Sequence, residues 1–336
     1  MFFTRFARRK GLGPRRLVAV VAGLAVTGLA LSACSSGETS AADTTADVPK
    51  VALLTSVGLK DSGLGRQTQE GGDKIAEQFG AEVDVQGDVP TDAWPEALRN
   101  YASRGYDLII ANDIISQAAA LEVGPEFPDT DFVVVGGYEA QEPNVSAVSS
   151  DFRGGGYLAG IVAGVATETD KVAGIGADDA IAPIKELMEG YAEGVVSVNP
   201  AAIVDLSYTG IPTGDPIKAT QQATAVLANG ADVIFGVANG GQPGLFEAAA
   251  AAGAMAIGYG VDENDLAPET VITSMISDFP GTAVRIFERY KAGTLAPEVV
   301  VEGYKENAFL LADFRGLLTD EQISRIEAEV DAVTAG

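Results

Sequence analysis

The chain has 336 residues, with 22 lysines and arginines against 47 aspartates and glutamates, a formal charge of −25, one cysteine and no histidine. The missing histidine removes the commonest general base, the Ser-His-Asp and Cys-His nucleophile systems, and any imidazole metal site. So acidic a surface also repels nucleic acid and anionic lipid headgroups.

The N-terminal segment carries Arg5, Arg8, Arg9, Lys10, Arg15 and Arg16 with no acidic residue, then an apolar run at 17–31 that is short for a bilayer span. Leu31-Ser32-Ala33 lead into the single cysteine, Cys34, with Ser35-Ser36-Gly37 after it. This pattern resembles the lipobox of bacterial lipoproteins, which implies a signal peptide at 1–33 and lipidation of Cys34. Loss of that segment removes six basic residues and no acidic one, leaving 16 against 47 and a charge of −31. With the thiol used for lipid, disulfides, thiolate metal sites and thiol catalysis are excluded as well. Residues 35–48 are mostly Ser, Gly, Thr, Ala and Asp with almost no large apolar side chain, and 34–48 are expected to form a flexible tether.

From residue 49 onward, short apolar runs alternate with amphipathic segments. Strands are predicted at 50–55, 82–85, 107–111, 132–135 and 145–148, with helices at 67–79, 94–104 and 116–122 between them. The pattern restarts after 151–156. Helices at 157–166, 184–197, 216–227, 244–252 and 281–292 alternate with strands at 171–175, 202–205, 231–235, 256–259 and 271–273, and a last amphipathic helix occupies 320–335. Continuously apolar strands separated by helices argue for parallel sheets covered on both faces. Two such series predict an α/β protein of two doubly wound parallel-sheet lobes rather than one closed barrel. In open α/β sheets ligands sit beyond the carboxyl ends of the strands. The candidate loops are therefore 57–66, 112–117, 136–139, 177–182, 238–242 and 262–265, whose Asp, Asn, Gln, Ser and Gly suit a neutral hydroxylated ligand better than a phosphate.

Several segments, in order, carry a resemblance. They are Gly58-Leu59-Lys60-Asp61-Ser62-Gly63-Leu64-Gly65, Gly156-Tyr157-Leu158-Ala159-Gly160, Glu189-Gly190-Tyr191-Ala192-Glu193-Gly194-Val195, Ala231-Asp232-Val233-Ile234-Phe235, Gly258-Tyr259-Gly260-Val261-Asp262 and Thr273-Ser274-Met275. Together they resemble the basic membrane protein family of ABC-transporter solute-binding lipoproteins, which includes purine nucleoside receptors. The resemblance implies the type I periplasmic-binding-protein fold, with two lobes joined by a three-segment hinge. Lobe 1 would hold 49–151 plus about 276–295, and lobe 2 would hold 152–275 plus about 296–336.

The ligand-binding set implied is Asp61, Ser62, Leu64, Gln117, Leu187, Asn239, Gly240 and Asp262. The same residues have plainer readings. Asp61 and Asp262 suit a helix cap or turn, Asn239-Gly240 a tight turn, and Leu64 and Leu187 an ordinary core. Leu64 and Leu187 stand where the family's nucleoside binders carry base-stacking aromatics, and Ser277 (or Asp278) stands where they carry a lysine. Purine-nucleoside binding is accordingly expected to be weak. The implied protein is a monomer with a small-molecule ligand and an ABC permease as partners. It would be tethered to the extracytoplasmic face of the cell membrane by lipid, with no cofactor, no metal and no nucleic acid. A sensing receptor is the alternative, and an exported carboxylate hydrolase a remote one, since no acidic pair has a spacing that demands catalysis.

Overall fold

Along the first strand, β1 (Lys50–Leu54), side chains alternate between two apolar clusters. Val51 and Leu53 pack on one face of the sheet, and Ala52 and Leu54 on the other. Burial on both faces is why the strand is an unbroken apolar run. The computed structural model describes residues 48–60 and 63–335. Cys34, nearly all of the tether and the pair Asp61-Ser62 lie outside the described residues.

The first series continues with α1 (Leu64–Phe79), β2 (Glu82–Gln86), α2 (Trp94–Ser103), β3 (Leu108–Ala111), α3 (Gln117–Val123), β4 (Asp131–Val135) and β5 (Val145–Ser150). The second runs α4 (Phe152–Ala166), β6 (Lys171–Gly176), α5 (Ala182–Val198), β7 (Ile203–Tyr208), α6 (Pro216–Ala228), β8 (Val233–Val237), α7 (Gln242–Ala252), β9 (Met255–Gly260) and β10 (Val271–Ser277). The chain closes with α8 (Phe279–Lys291), β11 (Val299–Glu302), β12 (Phe309–Leu311) and α9 (Asp320–Ala335). One six-stranded sheet has the order β11-β5-β4-β3-β1-β2 and the other β12-β10-β9-β8-β6-β7. All pairings are parallel except β10 with β12. The two orders are the same pattern repeated, which bears out the two doubly wound lobes.

The lobes exchange helices. Helix α4 leaves β5 of the first sheet but packs in the core of the second, with Leu158, Ile161 and Val162 beside Val233 and Phe235. Helix α8 leaves β10 of the second sheet and places Phe279, Ala283, Ile286 and Phe287 in the core of the first. The third crossing is the 303–308 segment between β11 and β12. Here the structure differs from the sequence expectation, which put everything beyond about 295 in lobe 2. Val299–Glu302 pairs in register with Ala147–Ser150 of β5, so the first lobe extends to Glu302. Backbone hydrogen bonds lace the crossings together: Asp151 N donates to Glu302 O at 2.9 Å, and Asp278 N to Ala308 O at 2.8 Å.

Helix α4 begins at Phe152, earlier than the predicted 157, because the Asp151 carboxylate accepts from Gly154 N at 2.9 Å and caps it. Its three consecutive glycines look like a helix break in sequence. In the fold they are a seam, where a Cβ on Gly156 would sit 2.0 Å from Leu187 O and one on Gly190 of α5 would sit 1.9 Å from Arg153 O.

Candidate functional site

A cavity of about 580 Å³ lies at the seam, where the carboxyl ends of the first sheet meet the start of α5. Lobe 1 contributes Leu64 and Gln67 of α1, Asn112, Asp113 and Ile114 after β3, and Gly136 and Tyr138 after β4. Lobe 2 contributes Ala182, Pro183 and Glu186 of α5. The floor is the hinge itself, with Ser149, Ser150, Phe152, Ser277, Asp278, Phe279, Thr282 and Glu302. No lysine or arginine is among these lining residues.

The polar lining is held in place by bonds within the protein. Asn112 is buried and donates to Thr68 Oγ1 at 2.8 Å, while Thr68 in turn donates to Leu64 O at 2.7 Å, which ties the loop after β3 to α1. Asp113 accepts from Ile115 N at 3.1 Å and from the Ser56 hydroxyl. Gln67 reaches across the seam and donates to Gly260 O, at the end of β9, at 3.3 Å. In the floor Glu302, 1% exposed, accepts from Arg285 Nη2 at 2.7 Å, from Thr282 Oγ1 at 3.2 Å and from Arg289.

Of the residues named from sequence, Leu64 lines the cavity. Asp61 and Ser62 lie outside the described residues. Gln117 is buried at the start of α3, with both ends of its amide engaged: Oε1 accepts from Tyr138 N at 3.0 Å and Nε2 donates to Glu139 O at 3.0 Å. It therefore clamps the turn that presents Tyr138, whose ring is 67% exposed at the cavity. Leu187 is 0% exposed in the lobe 2 core against α4, and the same helix shows Glu186 to the cavity instead.

Asn239 and Gly240 form a tight turn after β8. Asn239 has a left-handed backbone (φ 49°), its Nδ2 donates to Pro212 O at 2.6 Å, and Gly240 N donates to Thr213 O at 3.1 Å. Asp262 follows β9 and accepts from Asn264 N at 3.2 Å and from Arg315. These three stand at the carboxyl edge of the second sheet but do not line the cavity.

Apart from Ser277 and Asp278, which the resemblance set at the family's lysine position, sequence reasoning missed the hinge floor, and it missed Glu186. A signal for the floor was present: Ser150-Asp151-Phe152 and Ser277-Asp278-Phe279 are an internal repeat. In each copy the aspartate caps the helix that crosses over, Asp151 through Gly154 N and Asp278 through Gly281 N at 3.1 Å.

The lobes also repeat the glutamine clamp. Gln242, at the start of α7, accepts from Ala238 N at 3.2 Å and donates to Gly236 O at 3.0 Å and to Glu263 Oε2 at 2.7 Å. Burial pushes the Glu263 carboxyl above the ordinary glutamate range, opposed by the bonds it accepts from Tyr259 N and Gln242. A carboxyl that holds its proton more tightly when folded contributes stability fully below its unfolded value of about 4.3, and loses it as pH rises through the folded value. Glu263→Gln has no such slope. Urea denaturation from pH 4 to 7 should therefore show the variant gaining on the wild type as pH rises, whatever their offset at pH 4. A variant that keeps a constant offset or loses ground to the wild type as pH rises would contradict the assignment.

Two doubly wound lobes, three laced crossings and a cavity at their seam make up the type I periplasmic-binding fold. Residues 48–331 match the profile of the Bmp family, described as "ABC transporter substrate-binding protein PnrA-like", and the chain belongs to that family. It is similar to an ABC transporter system solute-binding protein from Conexibacter woesei (25% identity, TM-score 0.72, covering 86% of this chain and 97% of that one). A transcriptional activator of the comK gene from Bacillus halodurans shares the fold (23% identity, TM-score 0.74, covering 85% of this chain and 97% of that one). The ABC transporter nucleoside-binding protein BmpA of Lactococcus lactis is 31% identical over 155 residues, 45% of this chain and 44% of that protein. The chain spans 64% and 56% of the length of two curated relatives it matches, CD4+ T-cell-stimulating antigens of Listeria innocua and Listeria monocytogenes, at 29% identity to each. No described helix is long and apolar enough to cross a membrane, and no group of acidic or cysteine side chains among the described residues is arranged to hold a metal ion.

Proposed function

We propose that this protein is a monomeric, lipid-anchored receptor on the extracytoplasmic face of the cell membrane. It captures a small, uncharged, hydroxylated solute, nucleoside-like in size, and delivers it to an ABC permease. The observation that carries this reading is the seam cavity, walled by both lobes and floored by the hinge. A ligand touching both walls stabilises the closed form, and a permease that recognises closure then distinguishes loaded from empty receptor.

The volume of about 580 Å³ falls in the usual range of small-molecule sites, roughly 300–1,000 Å³. Asn112, Ser149, Ser150 and Ser277 offer hydrogen bonds to hydroxyls, and Tyr138 and Phe152 offer ring faces. Those two aromatics come from elements other than the ones carrying Leu64 and Leu187, so ring stacking does not depend on the family's own aromatic positions. The name of the Lactococcus lactis relative accords with a nucleoside-like ligand. Anchoring rests on the lipobox resemblance at Cys34. In this reading Asn239, Gly240 and Asp262, at the carboxyl edge of the second sheet, are second contacts that close on the solute, and Asp61 and Ser62 are ligand contacts on the strength of the family resemblance alone.

Three experiments test it. The protein purified from its membrane should release a small molecule on denaturation, and re-adding that molecule should compact the protein in small-angle scattering and raise its melting point. In cells Cys34→Ala should shift the protein from the membrane fraction to the medium. Unchanged scattering with bound solute would remove the clamp, and an unchanged membrane fraction would remove the anchor. Deletion of the gene should abolish uptake of the solute; intact uptake would favour the sensing alternative.

A further inference from the structure

Four acidic side chains face the cavity, and three of them are spent inside the protein. Asp113 is bonded to Ser56 and Ile115 N, Asp278 caps α8, and Glu302 is enclosed by Arg285, Arg289 and Thr282. Glu186 takes no hydrogen bond and no ion pair from the described residues, although cations stand close by in sequence and on the neighbouring helix. Those cations are turned elsewhere. Lys185 pairs with Glu189 at 3.9 Å, and Arg153 holds Glu189 at 2.9 Å and also Glu193. The charges on this part of α5 are thus mutually satisfied, apart from the one carboxylate that looks into the cleft.

Helix N-termini around the cavity make that carboxylate informative. Helices α1, α4, α5 and α8 begin at its edge, and an open helix N-terminus attracts phosphate. Helices α4 and α8 are closed by Asp151 and Asp278. Helix α1 has Gly63 at its N-cap and α5 begins after Ile181 with no side-chain cap, and Glu186, about one turn into α5, brings a negative charge to the cavity wall beside them. We propose that Glu186 is the specificity-determining carboxylate of the cleft. It accepts hydrogen bonds from hydroxyl or amine donors of an uncharged solute and turns away the phosphate ester of the same solute.

The chemistry follows from the ionised carboxylate, which only accepts, so it pairs with donors and repels an anion. This inference rests on the cleft being the solute site. Because Glu186 is exposed and bonded to none of the described residues, its replacement leaves the fold intact, which a melting curve checks.

The test is calorimetric titration of the full-length protein and its E186Q and E186K variants. The probes are adenosine, guanosine, inosine, uridine and D-ribose, each beside its 5-position phosphate ester. At least one parent compound is expected to bind the wild type, with its ester at least 100-fold weaker. E186Q should weaken the parent about 10-fold, the loss of one charge-assisted hydrogen bond, and narrow the gap to the ester; E186K should narrow it further. A parent that binds the wild type and both variants alike, with the same gap to its ester, overturns the role of Glu186 and leaves the receptor reading standing. An ester that binds the wild type as tightly as its parent does the same. If none of the parent compounds binds, this inference and the hydroxylated-solute reading fall together.

Discussion

Gly160→Ala is expected to lower the unfolding free energy by about 2–3 kcal/mol, although alanine is the better helix former by about 1 kcal/mol. Helices α4 and α5 touch backbone to backbone along Gly156, Gly160 and Gly164 on one side and Gly190 and Gly194 on the other. A Cβ at residue 160 would lie 2.2 Å from Tyr191 O, 2.8 Å from Gly194 Cα and 2.8 Å from Val195 N. None of those atoms belongs to a side chain that could rotate away. The helices must therefore separate, and the separation opens the core in which Leu158, Val162, Met188 and Val195 are packed. The steric and cavity costs exceed the gain in helix propensity, which fixes the sign. Val196→Ala on α5 is the control, since that side chain is 47% exposed. Urea denaturation should separate the two variants clearly, and equal midpoints would show that the helices yield more easily than their backbone contacts imply.

Glu302→Ala is expected to destabilise the protein by about 3 kcal/mol or more, in the range measured when one partner is removed from a buried ion pair. Its carboxylate is 1% exposed and holds Arg285 through Nε at 3.1 Å and Nη2 at 2.7 Å, together with Arg289 and the Thr282 hydroxyl. Removing it leaves two guanidinium groups, each only about a quarter exposed, facing one another without an anion. Among the described residues Arg289 Nη1 already has no partner, so the cluster has no acceptor to spare. The site adds a second consequence. Glu302 ends β11, its carbonyl accepts from Asp151 N, and its side chain forms part of the cavity floor. Ligand affinity should fall along with stability, and the triple replacement of Glu302, Arg285 and Arg289 by apolar residues should recover much of the stability. A Glu302→Ala protein as stable as the wild type would mean that water reaches the arginines as soon as the glutamate leaves.

Much of the scaffold was legible because both-face burial leaves a local signature. Leu108-Ile109-Ile110-Ala111 is apolar throughout since each residue meets helices above or below the sheet. The loops after β3 and β4 were found for the same reason: a parallel sheet gathers its ligand loops at one edge, and Asn112, Asp113, Gly136 and Tyr138 lie there. The short edge strands were not legible. Val299 and Val301 are exposed on β11, and three-residue β12 leaves Leu310 exposed, so neither strand shows the apolar run that marks an interior one. Glycines 154–156 misled in the opposite direction, because a sequence shows the helix-breaking tendency of glycine but not the neighbouring helix that requires it.

What the sequence by itself determined is therefore the repeating local order: alternating strands and helices, their parallel pairing, the family, and the absence of imidazole and thiol chemistry in the folded part. These follow from residue types and from contacts between near neighbours. Only the tertiary structure decided where the chain passes between lobes, and with it the identity of the cavity wall. Glu186, Phe152 and Ser277 are about 34 residues or more apart along the chain and meet because α4 and α8 cross over. Leu187, one position from Glu186, faces the core because a helix turns about 100° per residue. Which side of α5 meets α4 depends on the glycine seam, a contact between distant segments that no local pattern encodes.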